Sequence, residues 1–356
     1  MSTSTRSPET TPPVARLQPS PVGRPLPRWF TAAVFGALVV VGIVLGLVAG
    51  LNTVVVVLLV AVVGTLVVVG TSRAVEGGRK ATDRFVTCLV YGAFLLAMVP
   101  LVSLVYEVTS KGLGRLDGEF FHSSMLGVIG PGGGAYHAIL GTLEQVALTS
   151  LMAVPLGLAA AVYLTEYGAG WLPRAIRFFV DVMTGVPSIV AGLFIYVFWV
   201  LGLHQGFSGF AGSLALTILM LPVIIRSAEE MLLLVPKALR EAAYALGVPQ
   251  WKTIMKIVLP TASAGLVTGV MLALARVIGE TAPLILTVAG NNFINNNPFK
   301  AQQMGLPLFI YNQALQAYQP AIDRAWAGAL ALILIVVILY VAARLLTRRN
   351  QLAGRR

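Results

Sequence analysis

Apolar runs of about 20 residues recur along the chain, each long enough to cross a bilayer as a helix. Eight spans are predicted, over residues 30–50, 54–72, 85–106, 142–165, 178–201, 211–226, 262–288 and 325–343. None alternates apolar and polar residues as a membrane barrel strand does. The pattern therefore specifies an all-α, polytopic membrane protein. Only Leu51-Asn52-Thr53 separates the first two spans, which predicts a tight hairpin. Pro155 lies mid-span, where neighbouring helices must satisfy the carbonyl it frees. Residues 1–28 are rich in Ser, Thr and Pro, carry four Arg and have no apolar period, so a disordered tail is expected. The run that follows has full span length and no small-residue cleavage site, so it is not read as a cleavable leader.

The longest polar-bearing stretch between two spans is Glu241-Ala-Ala-Tyr-Ala-Leu-Gly247-Val-Pro-Gln-Trp-Lys-Thr-Ile-Met-Lys-Ile257-Val-Leu259-Pro260. Pro236 suits the opening of a short helix, since the first helical N–H has no partner to lose. Gly247 suits its close, because glycine takes the left-handed C′ conformation without penalty. Leu239, Ala242, Ala243 and Leu246 fall at i, i+3, i+4 and i+7, an apolar stripe, with Lys237, Arg240, Glu241 and Tyr244 off it. A second helix is expected from Pro249 to Leu259-Pro260, ahead of the next span. The short first helix, with Ala242 and Ala243 as a small-residue face, suits docking in another protein's cleft. It equally suits an amphipathic surface helix.

Composition excludes a soluble globular chain: 57% of the 356 residues are hydrophobic and 11% charged, with mean hydropathy +0.85. A net charge of +11 raises the question of nucleic acid, and its distribution answers it. With the N-terminus inside, Lys111, Arg115, Lys300 and Arg324 fall outside and Arg276 within a span. All the other basic residues are inside. That asymmetry is the positive-inside bias, so both termini are expected in the cytoplasm and the basic excess is a topology signal, with no nucleic-acid partner implied. Cys88 is the single cysteine and sits in an apolar span, so no intrachain disulfide is possible. His122, His137 and His204 are placed in outer loops without metal-ligand spacing. No phosphate-binding Gly-x-x-x-x-Gly-Lys-Ser/Thr occurs, so any ATP is hydrolysed by a partner chain. The glycine-rich Gly130-Pro-Gly-Gly-Gly134 has no adjoining helix start or lysine and is expected to be a flexible linker. Asn291-Asn-Phe-Ile-Asn-Asn-Asn-Pro298 is expected to be a solvated turn region or a contact for an external binding protein.

The seventh span carries Arg276-Val-Ile-Gly279-Glu280-Thr-Ala-Pro283. In a continuous helix Arg276 and Glu280, four apart, would stack on one face. Counted from Ala262, Arg276 would lie roughly 21 Å along the helix, past the midplane. A charge at that depth costs at least about 2.5–3.5 kcal/mol on insertion scales, so the pair should face protein or water. Two readings stay open: an ion pair fastening this helix to its neighbours, and groups along an anion path.

From about Arg84 to Arg344 the chain resembles the PstA-type permease of phosphate ABC importers. The resemblance rests on the Glu-Ala-Ala loop with Glu241, Gly247, Ile257, Leu259 and Pro260 in register. It also rests on Pro155-Leu-Gly157, Glu166-Tyr167, Gly185-Val-Pro-Ser188-Ile-Val and Arg276-Val-Ile-Gly-Glu280-Thr-Ala-Pro283-Leu. Two features depart from the family pattern: the hairpin over 30–72, and Val248-Pro249 in place of a small polar cap after Gly247.

The resemblance implies a type I importer permease fold. An extra hairpin (29–73) precedes a six-span core (84–347). The core holds a transmembrane domain of about 138–344 and a coupling loop (227–260), and a short cytoplasmic tail (348–356) follows. It implies a transport subunit of the cytoplasmic membrane with no cofactor of its own and no catalysis of hydrolysis. The ATPase subunit would grip Glu241, Ala242, Ala243, Gly247, Ile257, Leu259 and Pro260. Arg276 and Glu280 would be the polar pair along the substrate path. The implied partners are a second, PstC-type permease, two copies of a PstB-type ATPase, a periplasmic or lipid-anchored PstS-type phosphate-binding protein, and membrane lipid. A permease for sulfate or molybdate would share the loop but not the Gly-Glu-Thr-Ala-Pro run. A secondary transporter without an ATPase would leave the loop without a purpose.

Overall fold

Uncharged valine-rich runs that lack barrel-strand alternation are expected to be helices in a bilayer, since a helix bonds every backbone group within its own segment. In the computed structural model, which describes residues 25–27 and 29–353 with side chains through Leu345, they are helices. The expected tails over 1–28 and 348–356 lie largely outside these described residues. Among the described residues seven helices are long and apolar enough to cross a membrane, or eight if one bent pair is counted as a span. The chain divides into two compact units, Met1–Leu104 and Val105–Arg356.

The first unit opens with α1 (Phe30–Ala49) and α2 (Thr53–Val75). The expected tight turn is there: Gly50 takes φ +62°, and the Asn52 side chain caps α2 by accepting the Val54 N–H at 2.9 Å. Gly64, Val68 and Ser72, spaced i, i+4, i+8, form the buried face of α2. α3 (Gly78–Gly112) follows after Glu76-Gly77. The Glu76 carboxylate accepts from Ser72 Oγ (2.7 Å), Arg84 Nε (2.7 Å) and the Leu26 N–H (2.8 Å), while Arg84 Nη1 reaches Thr31 Oγ1 (3.0 Å). One carboxylate thus ties together the entry to α1, the end of α2 and the start of α3.

The second unit contains α4 (Gly118–His122), α5 (Tyr136–Glu166), α6 (Trp171–Thr184), α7 (Ser188–Ile195) and α8 (Gly209–Leu233). It continues with α9 (Lys237–Ala245), α10 (Gln250–Thr253), α11 (Leu259–Val277), α12 (Ala282–Thr287), α13 (Leu306–Ala314) and α14 (Gln319–Ala353). α5 runs unbroken through Pro155. Its packing against α8 is the centre of the unit, and Leu216, Met220, Leu284, Leu306 and Phe309 fill the main apolar cluster.

Three expectations are corrected. The fifth span is broken: α6 meets the segment Ser188–Gly202 at 106°, because Gly185-Val-Pro187 interrupts the backbone ladder. The glycine-rich loop is clasped, not flexible. Buried Arg324 donates to the Gly130 and Gly132 carbonyls at 3.1 and 3.0 Å, and Arg115 donates to the Gly133 carbonyl at 2.6 Å. His137 is not in a loop but in the first turn of α5, buried and edge-on to Phe309.

The asparagine-rich segment is likewise pinned. Gln303, 1% exposed, accepts from Gln145 Nε2 at 3.1 Å and donates to Glu144 and to the Asn295 carbonyl. Ser213 Oγ donates to the Gln145 carbonyl (3.1 Å), and Thr142 Oγ1 accepts the Leu306 N–H (2.6 Å). Buried polar groups of this kind cost free energy unless paired, so the latch holds α5, α8 and the 291–305 segment in one register.

Candidate functional site

The helix that begins at Gln250 is continuous to Val277, 28 residues, passing through a wide π-type turn at Ile254–Val258. The sequence reading of two helices meeting at Leu259-Pro260 is therefore corrected to one. Pro260 sits in the first turn of α11, where the preceding wide turn has already released the carbonyls it would obstruct. At 1.5 Å per residue this helix is roughly 40 Å long. The Glu-Ala-Ala loop lies at one end and Arg276 at the other.

At the Arg276 end the backbone breaks. The last helical bond is Ile278 N–H to the Leu274 carbonyl (3.0 Å), and the Glu280 N–H turns back to Val277 (3.1 Å). α12 then starts on the Thr281 carbonyl, which accepts from Leu284 (3.1 Å). Arg276 and Glu280 thus lie on either side of a break and do not stack on a common helical face. Arg276 is exposed and Glu280 partly so. Neither has an ion pair or a side-chain hydrogen bond among the described residues. The pair does not fasten its helix to a neighbour within this chain.

The break is held by packing. α12 lies along α7, and Gly192 comes close enough to Pro283 that an added Cβ would sit 2.6 Å from its Cα. Thr287, fully buried, donates to the Pro283 carbonyl at 2.8 Å, and its own carbonyl accepts the Ser208 N–H at 3.3 Å. The runs Gly185–Gly192 and Gly279–Leu284, nearly 90 residues apart in sequence, are thereby one structural element.

At the other end α9 forms as expected. Gly247 takes φ +72°, and its N–H bonds the Tyr244 carbonyl (2.9 Å) while Val248 N–H bonds that of Ala243 (3.1 Å). The two alanines expected to form a docking face differ in burial. Ala243 is 4% exposed and turned into its own chain, whereas Glu241, Ala242, Leu239 and Leu246 face outward. Gly247 is exposed, Ile257 and Leu259 are half-buried and Pro260 is exposed.

Residue pairing that the sequence did not reveal locks this loop. Arg240 donates from Nε (3.1 Å) and Nη2 (2.8 Å) to Glu166 Oε1 at the end of α5. The same guanidinium donates to the Leu232 carbonyl (2.9 Å) in the last turn of α8 and to the Val235 carbonyl (2.6 Å) just past it, at the negative end of the helix dipole. Gln250 Nε2 adds a bond to the Glu166 carbonyl (2.7 Å). The available signal was the Glu166-Tyr167 dipeptide, whose partner could not be known without the fold. Nearby, Arg177 pairs with Glu229 (2.9 Å) and Arg226 with Asp181, which ties α6 to the last turns of α8.

The family model described as "Binding-protein-dependent transport system inner membrane component" matches residues 153–351. The phosphate transport system permease protein PstA 1 of Mycobacterium tuberculosis H37Rv is 44% identical over 282 residues, covering 77% of this chain and 91% of that protein. The PstA protein of Yersinia pestis is 36% identical over 280 residues, 78% of this chain and 94% of the relative. Among solved structures, a bacterial alginate ABC transporter in complex with its pentasaccharide-bound periplasmic protein superposes with TM-score 0.54 at 14% identity. The match covers 76% of this chain and 96% of that one, a likeness of fold.

Proposed function

The chain belongs to the family of binding-protein-dependent transport inner membrane components, and from that membership we propose that it is the permease subunit of an ATP-driven phosphate importer. It is an integral membrane transport subunit that works with an ATPase and a substrate-binding protein. The finer assignment is that it pairs with a PstC-type permease, two PstB-type ATPases and a PstS-type binding protein in the cytoplasmic membrane, both termini inside. The relatives' names and the basic-residue asymmetry support it.

One observation carries the mechanism: a single helix from Gln250 to Val277 joins the Glu-Ala-Ala loop to Arg276. Force applied to α9 by an ATPase is passed through the Arg240–Glu166 lock and along this helix to the break. There the Arg276 guanidinium, presenting a planar fork of donors, suits the oxygens of a phosphate dianion. Glu280 beside it keeps the guanidinium from holding the anion too tightly, as a group on a path must. Glu241, Ala242, Gly247 and Pro260 are proposed as the outward contacts of the loop, with Ala243, Ile257 and Leu259 shaping it from beneath.

Proteoliposomes carrying the assembled importer should take up radiolabelled phosphate when ATP is supplied, with arsenate competing and sulfate not. Equal competition by sulfate would replace the phosphate reading with a general oxyanion permease.

A further inference from the structure

Where α2 and α3 part at Glu76-Gly77 they leave a lateral groove of about 390 Å³ lined by Val69, Arg73, Gly78, Ala81, Thr82 and Phe85. These residues lie within the first unit, outside the matched family segment. Along the helices the groove is ordered by polarity. Arg73 and Thr82 stand nearer the connection, and Val69 and Phe85, four and three residues further along, lie roughly 6 and 5 Å deeper toward the middle of the two spans. Its polar end is positive. Arg73 is exposed and has no ion pair or hydrogen bond among the described residues. The one nearby buried carboxylate, Glu76, is already engaged by Arg84, Lys80, Ser72 and the Leu26 N–H. Asp83, the other acid, is one residue past Thr82 and so lies about 100° around α3 from it, off the groove.

We propose that this groove holds an anionic phospholipid, its headgroup phosphate on Arg73, since the Thr82 hydroxyl donates to the Gly78 carbonyl at 3.1 Å, and an acyl chain along Val69 and Phe85. A basic group at a helix end with an apolar channel behind it matches a phospholipid in charge and in length, and a free phosphate ion in charge only. The first unit then has a role that the matched family segment does not: it seats a lipid at the connection clasped by Glu76 and Arg84. The site rests on the inward orientation proposed above only for which leaflet supplies the lipid.

The test uses the full-length chain in phosphatidylcholine vesicles doped with a photoactivatable phosphatidylglycerol, with crosslinked peptides read by mass spectrometry. Adducts are expected on the peptides that carry Val69–Arg73 and Ala81–Phe85. Arg73→Ala should lower their yield about tenfold, the loss of one charge-assisted contact, while Arg73→Lys retains most of it. Val69→Trp, which fills the groove and leaves the charge, should lower it too. Inorganic phosphate should not compete. Unchanged labelling in Arg73→Ala, equal labelling by a phosphatidylcholine probe, or displacement by inorganic phosphate would each overturn the proposal. Labelling from the outer leaflet alone would keep the groove and overturn the orientation instead.

Discussion

Gly192 on α7 rests against the backbone of Pro283 on α12, so close that a Cβ at position 192 would lie 2.6 Å from Pro283 Cα and 3.0 Å from its carbonyl oxygen. Real Cβ atoms do not approach backbone that closely, and backbone cannot swing aside as a side-chain tip can. This contact sets where the chain resumes after the break at Ile278–Thr281, and therefore where Arg276 and Glu280 are presented.

Gly192→Ala should accordingly cost about 1–3 kcal/mol through overpacking and displace α12. A lowered melting temperature in detergent together with reduced uptake is the expected pair of results. Wild-type values for both would mean that α7 and α12 are not tightly joined.

Arg276→Gln should abolish uptake while the protein still inserts and assembles. Because Arg276 and Glu280 form no ion pair in the chain, the double variant R276E/E280R should remain inactive. Recovery of uptake by the swap would show that the two act as a structural pair after all.

Two neighbouring alanines should behave differently. Ala242 faces outward, so Ala242→Trp should leave a stable permease that no longer retains the ATPase in a detergent pull-down. Ala243 is 4% exposed, and Ala243→Trp should destabilise the α9 turn itself. A stable Ala243→Trp protein that loses only the ATPase would contradict this assignment of faces.

The Glu166–Arg240 lock has side chains only 5% and 16% exposed. Removing one member of such a pair costs up to about 3–5 kcal/mol; without Glu166 the Arg240 charge keeps only the Leu232 and Val235 carbonyls. Glu166→Ala should therefore loosen the 233–250 segment to limited proteolysis and uncouple ATP hydrolysis from uptake. Unaltered cleavage kinetics would remove the lock from the transmission path.

The clasp at Glu76 predicts a pH dependence. Its bond from Arg84, opposed by burial and helped by Ser72 and the Leu26 N–H, holds the carboxyl at about 2, against an ordinary value of 4.5. A folded-state pKa lowered in this way contributes stability that is fully present above pH 4.5 and is lost as pH falls toward 2. Amide hydrogen exchange at the α1–α2–α3 connection, corrected for the intrinsic rate at each pH, should stay protected to below pH 4, and Glu76→Gln should expose it at neutral pH. Loss of protection in the wild-type protein near pH 5 would rule the clasp out.

The sequence alone determined the membrane class, the span count to within one break, the Asn52 turn, the α9 helix and its Gly247 exit. Each follows from local physics: apolar length against bilayer thickness, and the backbone freedom of one glycine. It also marked Arg276 and Glu280 as costly charges. What it could not decide was partnership between segments far apart. The geometry of the Arg276 break depends on Gly192 meeting Pro283. The rigidity of the Glu-Ala-Ala loop depends on Arg240 reaching Glu166, 74 residues earlier. The Gly130–Gly134 and Asn291–Asn297 stretches read as free loops because glycine and asparagine favour turns. They are held instead by Arg324, Arg115 and Gln303, whose donors arrive from elsewhere in the chain. Local propensity states what a segment is able to do, and only the packed structure states which buried donor meets which acceptor.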